Sequence, residues 1–175
     1  MKKSLDLGCG KEPQNPFNAD IVMGIDIRQR AEENISKADL VIEPIPFPDN
    51  FFNYLTAYDF IEHIPRVLYI PQRVHPFINL MNEIYRVLND SQGEGYFYSK
   101  TPCFPNSEAW RDPTHVNIIT VETFPLYFDN KFRYAAMYGF NGAFEVVEQK
   151  MDGFHLISVL KKVPKENILL QTKYD

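Results

Sequence analysis

Cysteine is scarce: Cys9 and Cys103 are the two in 175 residues, and neither belongs to a C-x-x-C pair. A disulfide framework and a thiol-rich metal site are therefore excluded, and thiols are expected. Long apolar runs are missing too. No stretch approaches the roughly 18 residues of a spanning helix. The opening lysines of MKKSLDLG resemble a signal n-region, but the apolar stretch stops at Asp6, so no secretory signal is read. Positive charge is short as well: the net charge is -5, and no block of Lys or Arg exceeds two. That argues against a nucleic-acid partner bound by neutralising phosphates. The expectation is a soluble, cytoplasmic protein of a reducing compartment, with neither membrane nor nucleic acid as partner.

What the chain does contain is aromatic surface, fourteen Phe and ten Tyr, within a composition 45% hydrophobic and 23% charged. This is the composition of one globular domain, and a chain of this length buries roughly 70% of its unfolded surface. Short apolar runs at Ser4–Leu7, Ile21–Ile27, Ala38–Glu43, Tyr54–Asp59 and Tyr96–Thr101 read as strands. Pro13 and Pro16 argue against a long helix over Lys11–Asp20. The polar run Gln29–Lys37 reads as a short helix. Phe77, Leu80, Met81, Ile84 and Leu88 repeat at helical spacing, which predicts a helix over Pro76–Asn89. Thr120 reads as the N-cap of a second helix running to Phe128. Phe144–Lys150 and His155–Lys162 read as a hairpin turning at Asp152-Gly153. The fold class expected is α/β, a mostly parallel sheet with helices on both faces and an antiparallel C-terminal hairpin. Ligands of such sheets bind beyond the carboxyl ends of the strands.

The first strand runs into Asp6-Leu7-Gly8-Cys9-Gly10. Two glycines one residue apart allow a sharp turn and close approach of a ligand to main chain. Pro13 follows where a phosphate-binding helix would begin, so a ligand without phosphate is favoured. Asp26 closes the second strand, where a carboxylate can accept hydrogen bonds from a ribose diol. Ile42 and Glu43, at the end of the third, suit an adenine ring and its amino group. Tyr58 and Asp59 end the fourth and face the same crevice. Glu62, just beyond, reads as a structural carboxylate, capping a turn or bonded to backbone amides.

The series LDLGCG, GIDI, PIPFPDNFFN, AYDFIEHI and EIYRVL…GEGYFYSKTP resembles, in order and spacing, the class I S-adenosylmethionine-dependent methyltransferases, and most of all their small type-11-like branch. The resemblance spans about Ser4 to Thr101. It implies a Rossmann-like sheet of seven strands with an antiparallel last strand, and S-adenosylmethionine as cofactor. It divides the single domain, residues 1–175, into a cofactor-binding half at 1–101, a substrate-side region at 102–163 and a peripheral tail at 164–175. Asp6, Gly8, Cys9 and Gly10 would surround the methionine and ribose, Asp26 would hold the ribose hydroxyls, and Ile27 would flank the adenine. Ile42 and Glu43 would line its edge, and Tyr58 would pack near the methionine, with His63 close to the substrate entry. The strand opens at Ser4, so the site's cover falls to the loop at 64–75 or to a second subunit in a homodimer.

The sulfonium methyl is already activated, so the protein's tasks are orientation and proton removal. Residues 110–117, WRDPTHVN, follow the fifth strand and offer His115 as a base, with Asp112 orienting it or acting itself. No zinc-ligand spacing is present, and no metal is expected. The expected activity is methyl transfer to a small-molecule acceptor. The alternatives are a binding or regulatory module without turnover and a nicotinamide-dependent oxidoreductase.

Overall fold

A computed structural model describes residues 1–28, 31–89 and 94–169. Seven strands form one sheet: β1 (Lys3–Leu7), β2 (Ile21–Asp26), β3 (Ile35–Lys37), β4 (Tyr54–Tyr58), β5 (Tyr96–Pro102), β6 (Phe144–Asp152) and β7 (His155–Lys162). The order across the sheet is β3-β2-β1-β4-β5-β7-β6. The pairs among β1 to β5 are parallel, and β7 is antiparallel to both β5 and β6. This is the Rossmann-like mixed sheet the sequence led us to expect. The strand order reverses at β1, which opens the crevice beyond the carboxyl ends of β1, β2 and β4.

Alternation along the strands sets the two faces. Leu5, Leu55, Phe97 and Leu160 stand in register and are fully buried. Onto them packs α1 (Pro76–Val87), which carries the apolar stripe read from its sequence and has proline at its first turn. The short α2 (Thr123–Tyr127) adds Phe124 to the same core. It begins two residues later than expected, with Glu122 as N-cap, because Thr120 accepts the Thr123 amide through its backbone carbonyl rather than its hydroxyl.

The opposite face differs from the expectation of helices on both sides. Among the described residues the β1–β2 crossover, 8–20, holds turns and no helix. Pro13 and Pro16 remove the amide donors a helix would need. Cover comes instead from side chains. Phe17 stacks on Tyr54 with ring centroids 4.4 Å apart and meets Tyr98 edge-on at 6.4 Å. Tyr54 and Tyr96 are 6.3 Å apart, Tyr58 and Tyr98 5.1 Å. Aromatic pairs of this kind contribute about 0.5–1.5 kcal/mol beyond burial. Phe17→Ala is therefore expected to lower unfolding stability by about 1–2 kcal/mol in a urea titration, with the loss confined to stability if the fold otherwise persists.

The third strand also departs from the sequence reading. It is Ile35–Lys37, where the tail of a helix was expected, and residues 38–43 form a turn. A strand needs a neighbour, and β2 ends at Asp26 opposite Lys37. Beyond that point no described residue continues the pairing, so ADLVIE folds over. The Asp39 carboxylate accepts the Val41 amide (3.1 Å), and the Glu43 carboxylate accepts the Asp39 amide (2.6 Å). Residues 29–30, 90–93 and 170–175, with parts of the expected helix, connection and tail, lie outside the described residues.

At the other end of the sheet Lys162 is buried. Its ammonium donates to the Leu88 carbonyl (2.6 Å) and Asn50 Oδ1 (2.7 Å) and lies 4.6 Å from the Tyr85 ring centre. Leu88 is the C-cap of α1, so a cation sits where the helix dipole and its last carbonyls favour one. Among the described residues no helix is long and apolar enough to cross a membrane. Neither Cys9 nor Cys103 forms a disulfide.

Candidate active site

The glycine turn and Asp26 meet as the sequence predicted. Gly8 and Gly10 have φ values of +68° and +65°, which a side chain would strain. The Gly10 amide donates to Asp26 Oδ2 at 3.1 Å. Cys9 continues the link by donating its amide to the Ile25 carbonyl (3.0 Å), and its side chain lies over β2 at Gly24. The other oxygen of Asp26 accepts the Arg28 amide (2.9 Å) and Nε (3.2 Å). Asp26 is only 4% exposed, so a ribose diol would share these oxygens with the turn.

The two glycines are not equivalent. A Cβ on Gly8 would lie 2.3 Å from the Phe60 ring, so Gly8 makes room for the protein's own side chain. A Cβ on Gly10 would meet nothing within 4 Å. Gly10 therefore presents bare main chain to open space. Ile27, just past β2, is 58% exposed and supplies an apolar surface beside it.

Asp6 lies below the turn at 2% exposure. It accepts the Thr56 hydroxyl (2.6 Å) and the Gln14 amide (2.9 Å). Burial pushes its carboxyl up to about 6, against the lowering effect of these two bonds. Tyr58 closes β4 half-buried, its phenol pushed up by burial and by neighbouring Tyr98.

Ile42 and Glu43 are not at a strand end. Both are exposed on the turn that follows β3, Ile42 at 74%, with Glu43 pinned to Asp39 as described. Asp59 has a positive φ of 45° and accepts from or pairs with His155 Nε2 at 2.8 Å, across β5, which turns it toward β7 rather than the glycine turn.

The side beyond β4 and β5 gathers residues far apart in the chain. β4 and β5 are neighbours, so the 3₁₀ turn Ile61–His63 after β4 faces the loop after β5. The backbone carbonyl of Glu62 accepts the Val116 and Asn117 amides (both 2.9 Å) and fixes the loop. The rings of His63 and His115 then stand 4.9 Å apart, edge to face. Asp112 does not orient His115 as expected. Its Oδ1 accepts the Thr114 hydroxyl (2.6 Å) and amide (2.8 Å), and that hydroxyl meets His63 Nδ1 at 3.0 Å. Asp112 thus supports His63. His115 is oriented by the Glu108 carbonyl, 3.0 Å from its Nδ1.

The Glu62 carboxylate is engaged by its own backbone amide, in line with the structural role expected, and also accepts the Thr101 hydroxyl through Oε2 (2.9 Å), while Oε1 has no hydrogen-bond partner among the described residues. Burial pushes this carboxyl up to about 6. The clue available in the sequence was the Glu-His pair after one strand and a histidine after the next. A cavity of about 490 Å³ lies between α1 and α2, lined by Arg66, His75, Phe77, Ile78, Glu122 and Phe128 among others, and none of Glu62, His63, Asp112 and His115 lines it. Arg66 donates to Asn117 Oδ1 (2.7 Å) and to the Ile118 carbonyl, which couples the cavity wall to the His115 loop.

Sheet order, strand directions and glycine turn are together those of the class I S-adenosylmethionine-dependent methyltransferase fold. Solved structures carry the same fold: an S-adenosylmethionine-dependent methyltransferase from Mesorhizobium loti has a TM-score of 0.58 and 14% identity, covering 91% of this chain and 90% of that one. A second, from Aquifex aeolicus, has a TM-score of 0.57 and 15% identity over 93% of this chain and 82% of that one. The cyclase SpnF has a TM-score of 0.54 and 18% identity, over 85% of this chain and 53% of that one. No family model and no curated protein matches the chain. One fold therefore accommodates methyl transfer and a cyclisation, and the reaction must be argued from the site.

Proposed function

We propose that the chain transfers a methyl group from S-adenosylmethionine to a small or medium-sized acceptor. The observation that carries this reading is the open main chain of Gly10 hydrogen-bonded to Asp26 at the adjoining strand end. The cofactor supplies a methyl group already activated on a sulfonium. Asp26 would hold the ribose hydroxyls, Ile27 would cover the adenine face, and Asp6 and Tyr58 would border the methionine. Ile42 and Glu43 would reach the adenine edge from their turn only as an outer wall.

The remaining work belongs to the acceptor side. The 490 Å³ cavity offers an apolar wall with Arg66 and His75 for orientation, and orientation alone contributes up to about 7–11 kcal/mol in ideal cases. His63, steadied by Thr114 and Asp112, and His115, steadied by Glu108, can each accept an acceptor's proton, worth about 10²–10⁴-fold. The loop at 64–75 or a second copy of the chain would exclude water from above.

Titration calorimetry with S-adenosylhomocysteine tests the reading. Saturable binding is expected, and folded protein that takes up no ligand at millimolar concentration would end the proposal. A binding module without turnover is the second reading. It predicts the same calorimetry with no labelled methyl transferred to any acceptor in a broad panel.

A further inference from the structure

We propose that Glu62, His63 and His115 together bind one divalent first-row transition-metal ion of the zinc, cobalt or manganese kind. A carboxylate oxygen and one nitrogen from each ring all lie within 4.8 Å of one another. Donors about 2.0–2.2 Å from a shared ion must be somewhat closer, so binding draws them in by on the order of an ångström.

The ring nitrogens are prepared for it. His115 Nδ1 faces the Glu108 carbonyl at 3.0 Å, and His63 Nδ1 faces the Thr114 carbonyl at 3.2 Å. A carbonyl only accepts, so both Nδ1 atoms carry the proton. In the neutral rings Nε2 is then the atom with the lone pair. A metal-binding histidine commonly has this arrangement, its second N–H donated to a carbonyl or carboxylate that fixes tautomer and orientation. For His63 the support continues through the Thr114 hydroxyl to Asp112.

Glu62 supplies an independent observation. It is 1% exposed, Thr101 engages Oε2, and Oε1 has no hydrogen-bond partner among the described residues. A buried carboxylate with an idle oxygen is costly unless a cation or donor meets it. Two imidazoles and one carboxylate form a ligand set suited to such an ion, with coordination positions left open. On the methyl-transfer reading, the ion would take over the role of His63 and His115 as bases, holding an acceptor oxygen and easing its deprotonation. The metal site does not rest on that reading.

The test uses the full chain after chelator treatment and dialysis. Cobalt(II) is titrated with visible absorption and calorimetry, and zinc(II) is followed by thermal shift. One ion per chain is expected, with ligand-field bands in the visible and a raised melting temperature. His63→Ala, His115→Ala and Glu62→Gln should each weaken binding about 100-fold or more, and Thr114→Val, on the surface and only a support, about 10–100-fold. Circular dichroism verifies folding, and Thr114→Val remains informative if a buried variant does not fold. Failure of folded wild-type protein to bind cobalt(II) or zinc(II) at millimolar concentration overturns the proposal. So does unchanged binding in a folded His63→Ala/His115→Ala double variant. Parallel titration with S-adenosylhomocysteine separates the two claims, since metal uptake without nucleoside uptake sinks only the methyl-transfer reading.

Discussion

Gly10→Ala is expected to lower affinity for S-adenosylhomocysteine by about 100-fold while leaving the protein folded, with Gly8→Ala as its counterpart of opposite character. Both glycines sit at positive φ, where an L side chain costs roughly 1–2 kcal/mol. At Gly10 that strain is the whole structural cost, because the new methyl meets open space. For a domain of this size about 1–2 kcal/mol lowers the melting temperature by about 2–8 °C. The methyl would nevertheless stand in the cradle proposed for the nucleoside. At Gly8 the new Cβ would lie 2.3 Å from Phe60, so overpacking adds about 1–3 kcal/mol to the strain. Calorimetry and thermal melts on the two variants separate the effects. Undiminished affinity in folded Gly10→Ala would show that the ligand does not approach this main chain.

The second large effect is a dependence of stability on pH set by Asp6. Its carboxyl lies at about 6 in the folded chain against a reference of 3.8, because burial outweighs Thr56 and Gln14. Between those values the folded state holds a proton that the unfolded state has released. Stability therefore falls as pH rises from about 4 to about 6 and levels off above, a loss on the order of 1–3 kcal/mol from this group. Asp6→Asn should remove that component. The amide can still accept from the Gln14 backbone and donate to the Thr56 hydroxyl, which can accept as well as donate. At pH 8 the variant should melt at or above the parent, and at pH 4 the difference should shrink. Urea titrations across pH check this, and a variant less stable than the parent at pH 8 with the same slope would refute it. A carboxylate kept at such cost beside the glycine turn fits a functional task better than a structural one. Asp6→Asn should accordingly weaken nucleoside binding.

The sequence disclosed those features that depend on local pattern. The glycine turn, Asp26 one strand later and the stripe of α1 each follow from residues close together in the chain. The third strand did not, because Ala38–Glu43 has the apolar look of a strand and only the end of β2 decides that it has nothing to pair with. The replacement of a helical cover by Phe17 and tyrosines was half legible: Pro13 and Pro16 excluded the helix, but nothing local says which rings Phe17 will meet. His63 and His115 lie 52 positions apart on irregular backbone. Their meeting depends on β4 and β5 being neighbours, and the partner of Asp112 was misread for the same reason. Long-range contacts between loops have no periodicity to betray them.

The buried ammonium of Lys162 has a consequence for how the chain comes together. The helix carboxyl end that it satisfies is made 74 residues earlier, and the strand that carries it slots between β5 and β6 rather than being appended at a rim. During synthesis the growing polypeptide therefore carries an open hydrogen-bonding border along β5 and an unquenched helix terminus. Both wait for the hairpin of β6 and β7 to leave the ribosome, so the sheet closes only once β7 has emerged.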